Sequence, residues 1–218
     1  MLGLLLASCA SVAVVGADDW NCRTVATGDH YAQPPVVGTV DSHSRSISVR
    51  FDLNTVAYQC NCTDEPFPSC MASWNKLWGS SRCGYTHPHH QDSDRFVWRR
   101  HNSTSDLVEI AAYAYDSGVN PYNPPNKNLL QPFDSFLLPG VEYRLHMEIA
   151  APTTTLVLYQ GAAAGGAELE RKVVKHANAC SDFRKGYKLG LYFGGKCTGA
   201  VNARAPAQRV LLLLYPCA

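Results

Sequence analysis

Apolar and polar residues alternate along much of this chain with a period of two, the mark of strands that bury one face. In Ser46 to Leu53, Ile47, Val49, Phe51 and Leu53 share one side and polar residues the other. Val141 to Ile149 alternates in the same way, with Val141, Tyr143, Leu145, Met147 and Ile149 facing one side. Thr154 to Gln160 follows after a short turn and reads as its hairpin partner. Val36 to Val40, Tyr187 to Phe193 and Arg209 to Tyr215 read as further strands. Glu168 to His176 fits a strand or a short helix. Asp19 to Thr39 is otherwise loop-like, Tyr58 to Gln91 is irregular and cysteine-rich, and Asp116 to Pro125 is dense in turn formers. Strands separated by turns, with no long helical period, predict an all-β sandwich. With no repeat and no break in composition, residues 18–218 read as one domain.

The most informative alternation runs from Asp92 to Asp116. In its first half Phe96 and Trp98 oppose Ser93, Arg95, Val97 and Arg99. In its second half Val108, Ile110, Ala112 and Ala114 oppose Glu109, Ala111, Tyr113 and Tyr115. If the two strands pack their apolar sides on one core, arginines and tyrosines line one wet face. A guanidinium grips a carboxylate with two parallel bonds, and phenols move protons, so that face has the makings of a site. Arginine and tyrosine are also ordinary occupants of solvated strand faces.

Composition narrows the setting. MLGLLLASCASVAVVGA is apolar, ends in small residues and is short for a membrane span, so residues 1–17 read as a secretion signal removed after Ala17. The product is expected to be extracellular and free of the membrane. Of nine cysteines, Cys9 falls in the signal. The remaining eight, Cys22, Cys60, Cys62, Cys70, Cys83, Cys180, Cys197 and Cys217, are expected to form disulfides, in any of about 105 pairings. Asn61 and Asn102 head glycosylation sequons. A net charge of +1 with no basic run gives no support to nucleic-acid binding. No nucleotide motif and no paired metal-ligand spacing is present, so neither cofactor nor metal is expected.

The string Ser93-x-Arg95-Phe96-x-Trp98-Arg99, then Glu109, then Tyr113-x-Tyr115, resembles the S-x-R-[FL]-M-W-R … E-x-Y-x-Y segment of the alginate and glucuronan lyase-like proteins of polysaccharide lyase family 14. Asn75-Lys76-Leu77-Trp78-Gly79 is similar to that family's G-K-L-P-G segment, and Tyr192-Phe193-Gly194-Gly195 to its F-F-G-G strand end. The patches occur in the family's order. The resemblance implies a concanavalin-like jelly roll with a concave groove. It also implies β-elimination on an acidic, uronate-containing polysaccharide. Arg95 would neutralise the substrate carboxylate, Lys76 would assist or act as base, and Tyr113 and Tyr115 would share proton transfer. Ser93 would orient the sugar or the arginine.

Arg99, on the face of Arg95, is a further candidate for substrate contact. Trp78, with Trp74 and Tyr85, could offer a sugar-stacking platform or simply cover the disulfides. His87-Pro88-His89-His90, with Asp92 and Asp94 close by, could line the groove, with His89 the candidate for substrate, could bind a metal, or could be a hydrated loop. Two other functions fit the same residues: a lectin-like carbohydrate-binding module without catalysis, and a disulfide-rich extracellular interaction protein.

Overall fold

The computed structural model describes residues 21–25, 30–32, 35, 38–51, 74–102, 105–121, 126–161, 165–193 and 208–213, the first and last of these stretches as backbone only. Among them the chain forms twelve strands: β1 (Asn21–Val25), β2 (Thr39–Asp41), β3 (Ser44–Phe51), β4 (Asn75–Ser81), β5 (Ser93–Arg100), β6 (Val108–Tyr115), β7 (Leu130–Pro132), β8 (Glu142–Ala150), β9 (Thr153–Gln160), β10 (Glu168–Lys175), β11 (Lys185–Leu189) and β12 (Gln208–Leu213). Two six-stranded sheets result, ordered β1-β12-β3-β8-β9-β10 and β2-β11-β4-β5-β6-β7. Neighbours are antiparallel throughout. This is the expected all-β jelly-roll sandwich.

Period-two patterning explains the layering. Ile47, Val49 and Phe51 of β3, Tyr143, Leu145, Met147 and Ile149 of β8, and Leu156 and Leu158 of β9 supply the inner face of the first sheet. Phe96 and Trp98 of β5 and Val108, Ile110, Ala112 and Ala114 of β6 supply that of the second. The layers interlock where Phe51 meets Trp98, ring centroids 5.1 Å apart. The stretch 168–175, open between strand and helix from sequence, is a strand because it pairs along β9. β1, β4 and β7 were not anticipated.

β4 carries the irregularity that matters. A bulge falls between Lys76 and Trp78: Lys76 pairs with Val97, and Trp78 already pairs with Phe96. An extra residue in one strand reverses the alternation beyond it. Leu77 and Trp78 therefore both turn into the core. Lys76 and Gly79, paired with Val97 and Arg95, stay on the opposite face.

At one end of the sandwich the layers are joined by polar groups. Arg82 is fully buried among Asp92, Asp94 and Asp116, at 3.5, 2.8 and 3.8 Å. Asp94 accepts a hydrogen bond from Thr154 of the other sheet at 2.9 Å and lies 3.1 Å from His176. Burial pushes the Asp94 carboxyl up, but Arg82, His176 and Thr154 together hold it below the ordinary aspartate value. The loop between Arg82 and Asp92 is closed at its base by a hydrogen bond from the Arg82 amide to the Asp92 carbonyl (3.0 Å) and fastened by the Cys83–Cys180 disulfide.

Residues 1–17, expected to be a secretion signal, and Cys60, Cys62, Cys70, Cys197, Cys217 and Asn61 lie outside the described residues, and Cys22 is described only as backbone. Asn102 is described, and its side-chain oxygen accepts the Ser105 amide at 2.7 Å. No helix among the described residues is long and apolar enough to cross a membrane.

Removing the Asp94 charge leaves Arg82 buried without its nearest partner, so Asp94→Asn should cost about 3–5 kcal/mol in chemical denaturation at pH 7. The folded-state pKa of Asp94 is depressed, so its contribution is complete above the unfolded value near 3.8 and is lost as pH falls through the folded value. The gap between wild type and variant should therefore persist down to about pH 4 and narrow only below it.

Candidate active site

On the face of the second sheet turned away from the core lies a cleft of about 520 Å³, whose lining includes Tyr31, Lys76, His89, His90, Arg95, Tyr115 and Tyr192. Register builds it. Gly79, Arg95 and Tyr113 stand opposite one another on β4, β5 and β6, and Ser81, Ser93 and Tyr115 form the adjacent row. Directly paired residues point to the same face, so each row projects toward the cleft. Gly79 makes room for the arginine. A Cβ there would lie 2.0 Å from the Asp94 carbonyl oxygen and 2.9 Å from Arg95 Cγ.

Arg95 is 7% exposed, and its Nε and one Nη find no hydrogen-bond partner among the described residues. Burial lowers its pKa, with the Tyr113, Tyr115 and Tyr187 phenols acting against that shift. Other basic groups crowd it. Burial and then the Arg95 charge bring the Lys76 amine down to about 8. Lys76 Nζ sits 4.7 Å from the Tyr113 ring centre and donates to the Trp74 carbonyl at 3.4 Å. His89 falls to about 4 through burial, Arg95 and His90, and His90 is lowered by burial, Arg95 and Lys76. Among the described residues the cleft lining contains no aspartate or glutamate.

The histidines reach the cleft from the loop between Arg82 and Asp92. The Tyr187 oxygen accepts the His89 amide at 3.0 Å and lies 2.8 Å from His89 Nδ1. We assign the Tyr187 hydroxyl as the donor to Nδ1, which places the hydrogen of the neutral His89 ring on Nε2. His90 lies edge-on to Tyr115 at 5.4 Å. His87 instead turns to Asp92, Nε2 to Oδ2 2.8 Å. Cys83, His87 and Asp92 converge closely enough to suit a cation, but Cys83 is held as a disulfide and offers no thiolate.

Four of the residues singled out from sequence, Lys76, Arg95, Tyr115 and His89, thus meet in one cleft. Tyr113 lies beneath it, 1% exposed, packed with Trp74, Val97 and Ala111. Ser93 shares the face but is fully buried. Arg99 points the same way yet is engaged elsewhere: its Nε donates to Glu109 at 2.6 Å and its guanidinium lies 4.4 Å from the Trp74 ring centre. Trp78 is not brought to the cleft. The bulge turns it inward, 6% exposed and stacked on Phe96, so its ring offers no surface to a sugar. His90, named with His89 in the HPHH cluster, and Tyr192, quoted in the strand-end patch, also line the cleft, together with Tyr31 and Lys188, which were not picked out.

A search against protein-family models finds no match, and no curated protein sequence matches the chain. Solved structures do resemble it. The alginate lyase Aly36B superposes with a TM-score of 0.54 at 12% identity, covering 91% of this chain and 80% of that one. A doubly substituted form of Aly36B in complex with alginate tetrasaccharide gives 0.54 at 10% identity over the same shares. Another, in complex with alginate trisaccharide, gives 0.51 at 10% identity, over 88% of this chain and 78% of that one. At such identities the likeness is one of fold: this chain has a fold that an alginate lyase also adopts.

Proposed function

We propose that the protein is an exported polysaccharide lyase that cleaves a uronate-containing glycan by β-elimination, related through its sequence patches to polysaccharide lyase family 14. One observation carries this reading. Arg95 is a buried cation whose Nε and one Nη find no partner among the described residues, beside Lys76, His89 and His90, in a cleft whose described lining holds no carboxylate. Such a cleft is short of negative charge, and a planar carboxylate that brings two acceptors fits the guanidinium fork.

The chemistry follows from the groups at hand. Arg95, with the Nε2 hydrogen of His89, binds the C6 carboxylate and stabilises the charge that develops there when the C5 proton leaves. Lys76 in its neutral form takes that proton. Tyr115 gives a proton to the departing glycosidic oxygen as the C4–O bond breaks and the C4–C5 double bond forms. Tyr113, sealed beneath Lys76, supports the amine with its ring face instead of moving protons.

A second reading has its own support: with Tyr113 buried, only one of the two expected phenols reaches the cleft. A lectin-like module would bind the same uronate and release it unchanged. Incubation with alginate, glucuronan and related polymers, followed through the ultraviolet absorbance of unsaturated uronate, separates the two. A lyase yields product, and Tyr115→Phe and Lys76→Met each lower kcat by about a hundredfold or more. A binding module yields none on any polymer while still retaining oligouronate.

The depressed amine gives a pH signature. As a base, Lys76 must be deprotonated, so kcat/KM should rise with pH and level off above about 8. An acyl transfer reagent applied at pH 8 should label Lys76 ahead of the exposed lysines, since it then carries on the order of a hundred times more neutral amine than an unperturbed lysine. Peptide mapping by mass spectrometry reads this directly. Labelling of Lys76 no faster than that of the exposed Lys188 would remove it as the base.

A further inference from the structure

The cleft has a second wall that the proton chemistry does not use. The segment following β11 runs on beside β4: the Lys76 amide donates to the Tyr192 carbonyl at 2.9 Å, and the Tyr192 amide donates back to Lys76 at 3.0 Å. Tyr31 in turn bridges to Tyr192. Paired residues share a face, so Tyr31, Tyr192 and Lys76 form one row across the sheet, spaced at about 5 Å per strand.

The two tyrosine rings are fixed in relation to each other. Tyr31 meets Tyr192 edge-on, centroids 5.1 Å apart at 72°. His30 stacks on Tyr192 at 5.4 Å and 18°, and its Nδ1 hydrogen is held by the Phe193 carbonyl at 2.8 Å. Yet Tyr31 is 68% exposed. The cleft therefore has a basic side, with Lys76 and the Arg95 guanidinium beside the His89 and His90 rings, and an aromatic side at Tyr31 and Tyr192, with Lys188 also in its lining. A lone uronate would fill only the first. A polymer places its next sugar beside the one whose carboxylate sits on Arg95, and the apolar C–H face of a pyranose suits an aromatic ring while a phenol hydroxyl bonds its hydroxyls.

We propose that Tyr31 and Tyr192 form a stacking subsite for the sugar next to the uronate held by Arg95, so that the ligand is a chain of linked sugars and not a single acid sugar. This rests on the glycan reading above, though not on turnover. Calorimetric titration of the full chain tests it, with alginate tetrasaccharide and monomeric mannuronate as probes and Tyr115→Phe as the background that halts cleavage. Adding Tyr31→Ala, an exposed change that should leave folding intact, is expected to weaken tetrasaccharide binding about tenfold. Monomer binding should be unchanged, and Tyr31→Phe should remain within about twofold of the parent. If Arg95→Ala abolishes tetrasaccharide binding and Tyr31→Ala leaves it untouched, the subsite is overturned while the uronate site stands. If Tyr31→Ala weakens binding and Arg95→Ala does not, the subsite stands and the uronate reading falls.

Discussion

A guanidinium buried without an acidic partner works against folding, because its lost hydration is not repaid by a neighbouring charge. Among the described residues, Arg95 is held in that condition. Asp94 is next to it in sequence, but strand alternation sends the carboxylate to the other side of the sheet, where it pairs with Arg82. Lys76, His89 and His90 add more basic groups on the Arg95 side, and each has its pKa pulled down, first by burial and then by its positive neighbours. Two arginines thus divide the labour: Arg82, surrounded by carboxylates, joins the layers, and Arg95, with none beside it among the described residues, is the group we propose to bind an anion from outside.

Local irregularities make this arrangement possible. Had β4 kept strict alternation, Lys76 and Trp78 would share a face, and either the amine would enter the core or the indole would leave it. The bulge sends both Leu77 and Trp78 inward and keeps Lys76 in the cleft. Gly79 then leaves the space that the Arg95 stem crosses. Beyond β4, the loop tied by Cys83–Cys180 carries His89 and His90 over the same spot, and Tyr187 fixes the orientation of the His89 ring.

Regular alternation was the legible part of the sequence. It gave the sandwich, the strands through Ile47, Phe96, Ile110, Leu145 and Leu156, and the shared face of Arg95 and Tyr115. Alternation failed where the backbone departs from it. β4 was hidden inside a stretch that looked irregular because its bulge breaks the period, and the same bulge, which the sequence does not announce, turns Trp78 into the core. Long-range pairing was also out of reach. No local pattern brings Tyr31 and Tyr192 next to Lys76, or Arg82 between Asp94 and His176, since these meetings depend on strand order. Tyr113 was placed on the correct face, but its burial there depends on Trp74 and Val97 closing over it.

The central claim is that Arg95 awaits a carboxylate. Calorimetry on the wild-type chain with a uronate oligosaccharide and with the same oligosaccharide after reduction of its carboxylates to primary alcohols isolates that group while keeping sugar shape and length. Binding of the acid form with at least a tenfold loss on reduction is the expected result, in line with a charge-assisted bidentate contact. Equal affinity for both forms would contradict it, since the cleft would then be recognising sugar without using its buried cation.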